Sequence, residues 1–235
     1  MGKEAREAMR TLLLLHGAIG SKQQFQQLSR AISHEFNVYG INFSGHGGEL
    51  IPEIPFSIDL FVNDVVAWMN QNKIQMIDIF GYSMGGYVAL CLALKFPNRV
   101  GKIATLATKF NWNEEVALKE SKMLDPEKIQ EKIPAFATLL EERHAPVDWK
   151  KVMSKTADMM LQLGFSPLLT AGTLSQIKHS VRLMIGDKDN MVSVDETRWA
   201  SDNLSNGSIQ ILSDVEHPIE KKSTQVLLQQ LDQFF

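Results

Sequence analysis

The sequence contains little cysteine and no large excess of charge of either sign. Cys91 is the only cysteine among 235 residues, so an intramolecular disulfide bond is excluded. With 24 basic and 27 acidic residues the formal net charge is −3, which offers no attraction for nucleic acid or for an anionic membrane surface. We therefore expect a small or uncharged partner, and no nucleic acid among the ligands.

Long apolar runs are missing as well. The first run, from Leu12 to Leu15, is shorter than the ~7–15 residues of a secretory signal core. No stretch reaches the ~20 apolar residues that a membrane-spanning helix needs. The segment Gly17-Ala18-Ile19-Gly20 fits neither the dinucleotide fingerprint nor a phosphate-binding loop. These absences predict a cytoplasmic protein with no stable membrane insertion and no nucleotide cofactor.

What the sequence does contain is a regular alternation of strand and helix patterns. Short apolar runs bounded by turn residues predict buried parallel strands, and apolar residues at spacings of three and four predict amphipathic helices. The predicted strands cover residues 11–15, 37–43, 74–80, 100–107, 181–185 and 208–212, and the predicted helices cover residues 21–32, 57–70, 84–96, 194–204 and 218–235. This order favours an α/β protein with a doubly wound, mostly parallel sheet.

The alternation stops between residues 109 and 178. That segment shows several helix starts and no strand pattern, so we predict a helical insertion. Candidate helices cover residues 114–123 and 148–163, and Gly164 would terminate the second one. Pro126 is well placed to begin a further helix, which Pro134 should kink or end. The predicted organisation is a core of residues 1–108 and 179–235 with a cap of residues 109–178.

The central motif of the sequence is Gly81-Tyr82-Ser83-Met84-Gly85. It follows a strand pattern and precedes an apolar helix pattern in which we expect the Cys91 thiol to be buried. A serine at a very tight strand-to-helix turn needs glycines around it, because side chains there would clash with the neighbouring chain. The same turn directs the Met84 amide toward the space beside the serine hydroxyl, where an oxyanion could be stabilised. The motif therefore predicts that Ser83 is a nucleophile.

With this motif the sequence resembles the α/β-hydrolase family. The resemblance covers essentially the whole chain apart from residues 109–178. It implies a sheet of six to seven strands, up to eight, and a helical cap over the nucleophile. It also implies a catalytic acid after the strand at 181–185, where Asp189 matches the family position and Asp187 competes with it. The implied base is His217, the only histidine that follows the last predicted strand.

The segment His16-Gly17-Ala18 resembles the histidine-glycine pair of the same family. The resemblance implies that Ala18 supplies the second oxyanion-hole amide, beside that of Met84, and that His16 braces the loop. We interpret His34, His144 and His179 as structural or surface histidines.

The sequence departs from the family pattern at two places. Glu216 precedes His217, where many family members carry glycine, so the geometry of this loop is not fixed by the resemblance. Asn42 and Ser44 replace the Asp and Arg that often precede the turn Gly45-His46-Gly47. This second departure weakens the structural support expected for that turn.

The resemblance implies a serine esterase that uses Ser83, His217 and Asp189 and needs neither a metal nor an organic cofactor. Methionines and aromatic residues in the predicted cap favour a small, neutral, fairly hydrophobic ester as substrate. The same triad would also serve carbon–carbon bond hydrolysis, an elimination of the menaquinone-pathway type, or perhydrolysis. A non-catalytic receptor for a small molecule is a further alternative, and a scaffold role would predict a damaged triad. We expect a monomer or a homodimer.

Overall fold

Parallel strands form the centre of the fold. The structure is a computed structural model and describes residues 10–219 and 224–235. Its strands are β1 (Arg10–Leu15), β2 (Phe36–Ile41), β3 (Ile77–Tyr82), β4 (Val100–Leu106), β5 (Val181–Gly186) and β6 (Gly207–Leu212). All neighbouring strands are parallel, in the order β2-β1-β3-β4-β5-β6. The predicted parallel sheet is confirmed. The described residues form six strands, which is the lower of the predicted numbers.

Helices cover both faces of the sheet because side chains along each strand alternate between the faces. In β1, Leu13 and Leu15 belong to one buried cluster, whereas Leu12 and Leu14 belong to the other. The first cluster includes residues of α2 (Ile58–Gln71), α3 (Met84–Lys95) and α9 (Val194–Asn203). The second includes residues of α1 (Gln26–Ile32) and α10 (Thr224–Asp232). The sheet is therefore doubly wound, as predicted.

Five helices lie between β4 and β5, and no strand occurs in this fully described stretch. They are α4 (Glu114–Lys122), α5 (Pro126–Lys132), α6 (Pro134–His144), α7 (Trp149–Phe165) and α8 (Ala171–Leu174). Part of this segment has a small buried cluster of its own, which includes Ile129, Leu140 and Met153. We call residues 109–178 the cap segment. Among the described residues of the chain, no helix is both long and apolar enough to cross a bilayer.

Two helix boundaries in the cap segment depend on single residues. Pro134 ends α5 and also begins α6, because a proline lacks the amide that an internal helix position needs. The prediction that Gly164 terminates the second candidate helix is wrong, since α7 continues to Phe165. Gly164 is there for packing: a Cβ at this position would lie 2.3 Å from the Cβ of Ala117 in α4.

Other predicted boundaries also differ from the structure: the strand predicted over 37–43 is β2, which ends at Ile41, and the α-helical part of the helix predicted over 21–32 is α1. The strand predicted from residue 74 begins at Ile77, because the chain leaves α2 through Lys73 with φ of 57° and the Ile74 amide bonds back to Met69. This closure satisfies carbonyls at the end of α2. It is a common way for a helix to end, although the residue with positive φ is usually glycine rather than lysine. The helix predicted from residue 218 does not include Pro218, although Ile219 directly after it lies in a 3-10 turn. The described helix is α10, and residues 220–223 lie outside the described part.

Candidate active site

Ser83 lies in the sharp turn between β3 and α3. All six residues of β3 are buried, and the chain turns at Ser83 with φ of 51° and ψ of −117°, a region that non-glycine residues rarely adopt. A Cβ at Gly81 would lie 2.5 Å from the Cα of Gly86, and a Cβ at Gly85 would lie 2.1 Å from the carbonyl oxygen of Leu15. The glycines are therefore required by close backbone approach, as the sequence predicted.

The peptide between Ser83 and Met84 is held in a fixed orientation. The Ser83 carbonyl accepts hydrogen bonds from Thr108 Oγ1 at 3.0 Å and from the Gly86 amide at 3.0 Å. Because the peptide is planar and trans, fixing this carbonyl directs the Met84 N–H to the opposite side. Within residues 10–219 and 224–235 the Met84 amide has no turn, cap or side-chain acceptor. It is thus available to a ligand.

A similar device orients the amide of Ala18. The Gly17 carbonyl accepts from His16 Nδ1 at 2.8 Å and from the Gly20 amide at 3.1 Å. The other ring nitrogen, His16 Nε2, accepts from the Phe43 amide at 3.2 Å, which places the ring proton on Nδ1. Burial lowers the pKa of His16 to about 3, so the imidazole is neutral. These contacts agree with the bracing role predicted for His16.

Asp189 and His217 meet across two loops. His217 Nδ1 lies 2.8 Å from Asp189 Oδ2 and 3.1 Å from Oδ1, and the Asp189 side chain is completely buried. Burial alone would raise the pKa of Asp189, but the His217 hydrogen bond and the Val192 and Met191 amides outweigh it, so this pKa is lowered. The competing Asp187 is exposed. The ionised carboxylate that faces the imidazole is that of Asp189.

The loop that carries His217 is tied to its surroundings through backbone groups. The hydroxyl of Tyr82, the residue before Ser83, donates to the His217 carbonyl at 3.1 Å. The Lys188 amide donates to the Val215 carbonyl at 3.1 Å, which joins this loop to the one that carries Asp189. Many family members carry glycine where this chain has Glu216, and that glycine is therefore not required for His217 to reach Asp189. Glu216 itself is exposed.

Ser83 and His217 line the same small cavity of about 50 Å³, together with Ala18 and Met84. No hydrogen bond joins the Ser83 hydroxyl to the imidazole in the described structure, a bond that often tightens only when substrate binds. The remaining cavity wall is largely apolar and combines residues of the core and the cap segment. They include Ile58, Tyr87, Met159, Leu163 and Val192.

Two charged residues also line this cavity, and no motif in the sequence pointed to either of them. They are Lys109, just after β4, and Glu120 of α4.

The sequence also did not predict the contact of Asp64 with Ser44. The Asp64 carboxylate accepts hydrogen bonds from the Ser44 amide at 2.7 Å and from the Ser44 hydroxyl at 2.8 Å. Burial raises the pKa of Asp64, although the two Ser44 bonds oppose this. Asp64 thus supports the turn that the family residues normally support.

The other histidines and the single thiol play no part in this cavity. His34 is exposed beside Glu35, and His144 is buried in contact with backbone groups. Burial raises the pKa of the Cys91 thiol, so it is protonated and unreactive inside α3. Over the described residues, His, Cys, Asp and Glu side chains form no group of three or more that could hold a metal ion.

A family model described as alpha/beta hydrolase fold matches residues 10–127, which is half of the chain. The chain therefore belongs to the α/β-hydrolase fold family.

Ethanol acetyltransferase 1 from Cyberlindnera jadinii is 30% identical over 91 residues, 38% of this chain and 27% of that protein. The human serine hydrolase-like protein is 28% identical over 99 residues, 41% of this chain and 49% of that protein. The match spans only about a quarter of the length of the acetyltransferases.

Solved structures extend the similarity to the whole chain at low identity. The enol-lactonase from Burkholderia xenovorans superposes with a TM-score of 0.77 at 17% identity, covering 98% of this chain and 93% of that one. A thermophilic esterase from Thermogutta terrifontis superposes with a TM-score of 0.75 at 17% identity, covering 96% and 90%. At this identity the similarity establishes the fold.

Proposed function

We propose that this protein is a serine hydrolase that cleaves small, neutral, fairly hydrophobic carboxylic esters. The observation that carries the proposal is the buried pair of Asp189 and His217, 2.8 Å apart, beside a cavity that also contains Ser83. A buried carboxylate that holds an imidazole by Nδ1 leaves Nε2 as a base for a serine hydroxyl. The available amides of Ala18 and Met84 supply the oxyanion hole.

The reaction proceeds in two steps. Ser83 Oγ attacks the ester carbonyl carbon while His217 Nε2 takes the hydroxyl proton, and the two amides stabilise the oxyanion. His217 returns the proton to the departing alcohol, which leaves an acyl group on Ser83. Water then attacks this acyl-enzyme with His217 as base, and the carboxylic acid and free Ser83 are formed. Asp189 holds the imidazole and stabilises its protonated form.

The polarity of the cavity supports the proposed substrate class. Met159, Leu163 and Tyr87 give it an apolar wall that suits an apolar acyl group. Burial raises the pKa of Tyr87, whose hydroxyl is occupied by the Leu168 and Leu169 amides at 3.0 and 2.9 Å. Tyr87 therefore presents no charge to the substrate.

Acyl transfer to an alcohol is the second candidate. It is favoured by the ethanol acetyltransferases among the relatives and by an apolar cavity wall that suits an alcohol better than water. In this reaction an alcohol replaces water as the attacking group on the acyl-enzyme, and an ester is released. The first half of the reaction is identical, so the same residues are required.

The proposal is tested by labelling with a fluorophosphonate, read by intact mass. We expect one adduct on the wild type and none on Ser83→Ala or His217→Ala. Acetyl, butyryl and octanoyl esters of one aryl alcohol would then define the acyl range, and added ethanol would divide the product between acid and ethyl ester. Absence of an adduct on folded wild type would contradict the proposal. Labelling without ester turnover would favour the carbon–carbon hydrolase or lyase chemistry.

A further inference from the structure

Lys109 connects three parts of the molecule next to the proposed active site. It follows β4, and its Nζ lies 2.6 Å from the carbonyl oxygen of Met191 and 3.3 Å from Oε1 of Glu120 in α4. The Lys109 side chain is 15% exposed and that of Glu120 is 6% exposed. Met191 belongs to residues 187–193, which we call the acid loop because Asp189 lies in it.

A buried pair of this kind is not explained by stability alone. Removing an ammonium and a carboxylate from water is costly, and their mutual attraction seldom exceeds that cost by much. Apolar residues of similar size would pack the same space at least as well. What they would not supply is a charged donor for the Met191 carbonyl, and charge-assisted hydrogen bonds are about twice as strong as neutral ones.

The peptide that Lys109 holds is the one that also contacts Asp189. The Met191 carbonyl and the Val192 N–H belong to the same peptide group, and the Val192 N–H donates to Asp189 Oδ1 at 2.9 Å. Because a trans peptide is planar, holding the carbonyl on one side fixes the N–H on the other. The Met191 amide donates to the same oxygen at 2.9 Å. Lys109 is therefore one peptide group away from the carboxylate that orients His217.

We propose that Lys109 is a positioning residue that fixes the Asp189 carboxylate toward His217 through the Met191 to Val192 peptide. Glu120 holds the Lys109 ammonium in place, so the orientation of the acid depends on a residue of the cap segment. This inference rests on the proposed function, because it assigns a second layer of support to the same pair. Among the described residues, Lys109 forms no hydrogen bond or ion pair with Asp189 or His217.

The experiment compares Glu120→Gln with the double variant Lys109→Met/Glu120→Gln. Both lack the Glu120 carboxylate and differ at Lys109. Glu120→Gln keeps the donor to Met191 but leaves its ammonium without the acidic partner, so we expect it to lie between wild type and the double variant. Lys188→Met is the matched control, because Lys188 lies in the same loop but its ammonium pairs with Asp214 in solvent. Lys109→Gln, which replaces the ammonium by a shorter and neutral amide, gives a second test should the double variant be unstable.

The first readout is the far-downfield proton resonance of His217 Nδ1–H, which reports its hydrogen bond to Asp189 in the absence of any substrate. The second is the rate of fluorophosphonate labelling, with kcat and KM for an aryl acetate. We expect the double variant to lose or broaden the resonance, and to label about tenfold more slowly or worse than Glu120→Gln, with KM little changed. Lys188→Met should keep both wild-type properties.

An unchanged resonance in the double variant and in Lys109→Gln would overturn the inference. So would a raised KM at unchanged kcat, since Lys109 would then act by contacting substrate. Failure of the proposed function gives a different result, namely no adduct on wild type while the resonance still responds to the loss of Lys109. That combination would support the positioning role and reject the esterase.

Discussion

His144, at the end of α6, forms hydrogen bonds with two loops that follow β1 and β2. Its Nδ1 accepts from the Gly47 amide at 3.1 Å, which places the ring proton on Nε2, and Nε2 donates to the Ile19 carbonyl at 3.1 Å. Ile19 lies in the loop that carries Ala18. The cap segment is therefore attached to the proposed oxyanion hole by a neutral imidazole.

This attachment predicts a loss of stability in acid. Burial lowers the pKa of His144 to about 4, against about 6.5 for histidine in an unfolded chain. The unfolded chain thus binds a proton as the pH falls through about 6.5, while the folded chain binds it only near 4. The contribution of His144 is complete above about pH 6.5, is lost as the pH falls toward 4, and is on the order of 2–3 kcal/mol.

His144→Gln tests this prediction, because glutamine can keep both hydrogen bonds but does not titrate. Urea unfolding at about pH 7 and about pH 4.5 should show a smaller difference in unfolding free energy for the variant than for the wild type. His34→Gln is the control, since it makes the same substitution at an exposed site beside Glu35. An equal loss in His144→Gln and wild type would refute the assignment.

Gly85→Ala should destabilise the protein severely. The new Cβ would lie 2.1 Å from the Leu15 carbonyl oxygen, and neither backbone can move without disturbing β1 or α3. We expect a loss of about 3 kcal/mol or more in the free energy of unfolding, measured in urea. Gly172→Ala is the matched control, because its Cβ would meet nothing nearer than 3.8 Å, and we expect a change within about 1 kcal/mol. Similar values for both variants would contradict the packing argument.

The sequence itself predicted the part of the site that is formed by contiguous residues, and the family resemblance supplied the rest of the triad. The turn at Ser83 requires glycines within two positions, so its pattern is visible in one short segment. The order of elements then predicted the sheet and, through the family resemblance, the meeting of Asp189 with His217. The last helix was predicted to start at Pro218, which is not helical, and residues 220–223 lie outside the described part of the chain.

The contacts that the sequence did not predict join residues that are distant along the chain. Lys109 and Met191 are 82 positions apart, and His144 and Ile19 are 125 positions apart. Neither member of these pairs lies in a motif, and each contact depends on how the cap segment packs on the core. A lysine or histidine in a helix or loop is usually a surface residue, so composition and periodicity carry no signal for these contacts.

Backbone strain at Ser83 predicts that Ser83→Gly is more stable than Ser83→Ala, which is the reverse of the usual order. With φ of 51°, Ser83→Gly relieves the strained conformation, whereas Ser83→Ala keeps it. We expect the glycine variant to be more stable than the alanine variant by about 1 kcal/mol in thermal unfolding. At Ser33, where φ is −66°, the order should be the usual one, with alanine more stable. The same order at both sites would show that Ser83 is not strained in solution.

The choice between the two aspartates after β5 gives the most direct test of the proposed triad. Asp189→Asn keeps the shape of the side chain but lets its amide donate, which favours the wrong tautomer of His217, so we expect kcat to fall by about 10⁴-fold. Asp187→Asn makes the same chemical change two residues away on an exposed side chain, and we expect kcat within about threefold of wild type. Turnover of an aryl acetate measures both. Because the two variants differ only in which carboxylate is neutralised, a large loss in Asp187→Asn with a small one in Asp189→Asn would reverse the assignment of the acid.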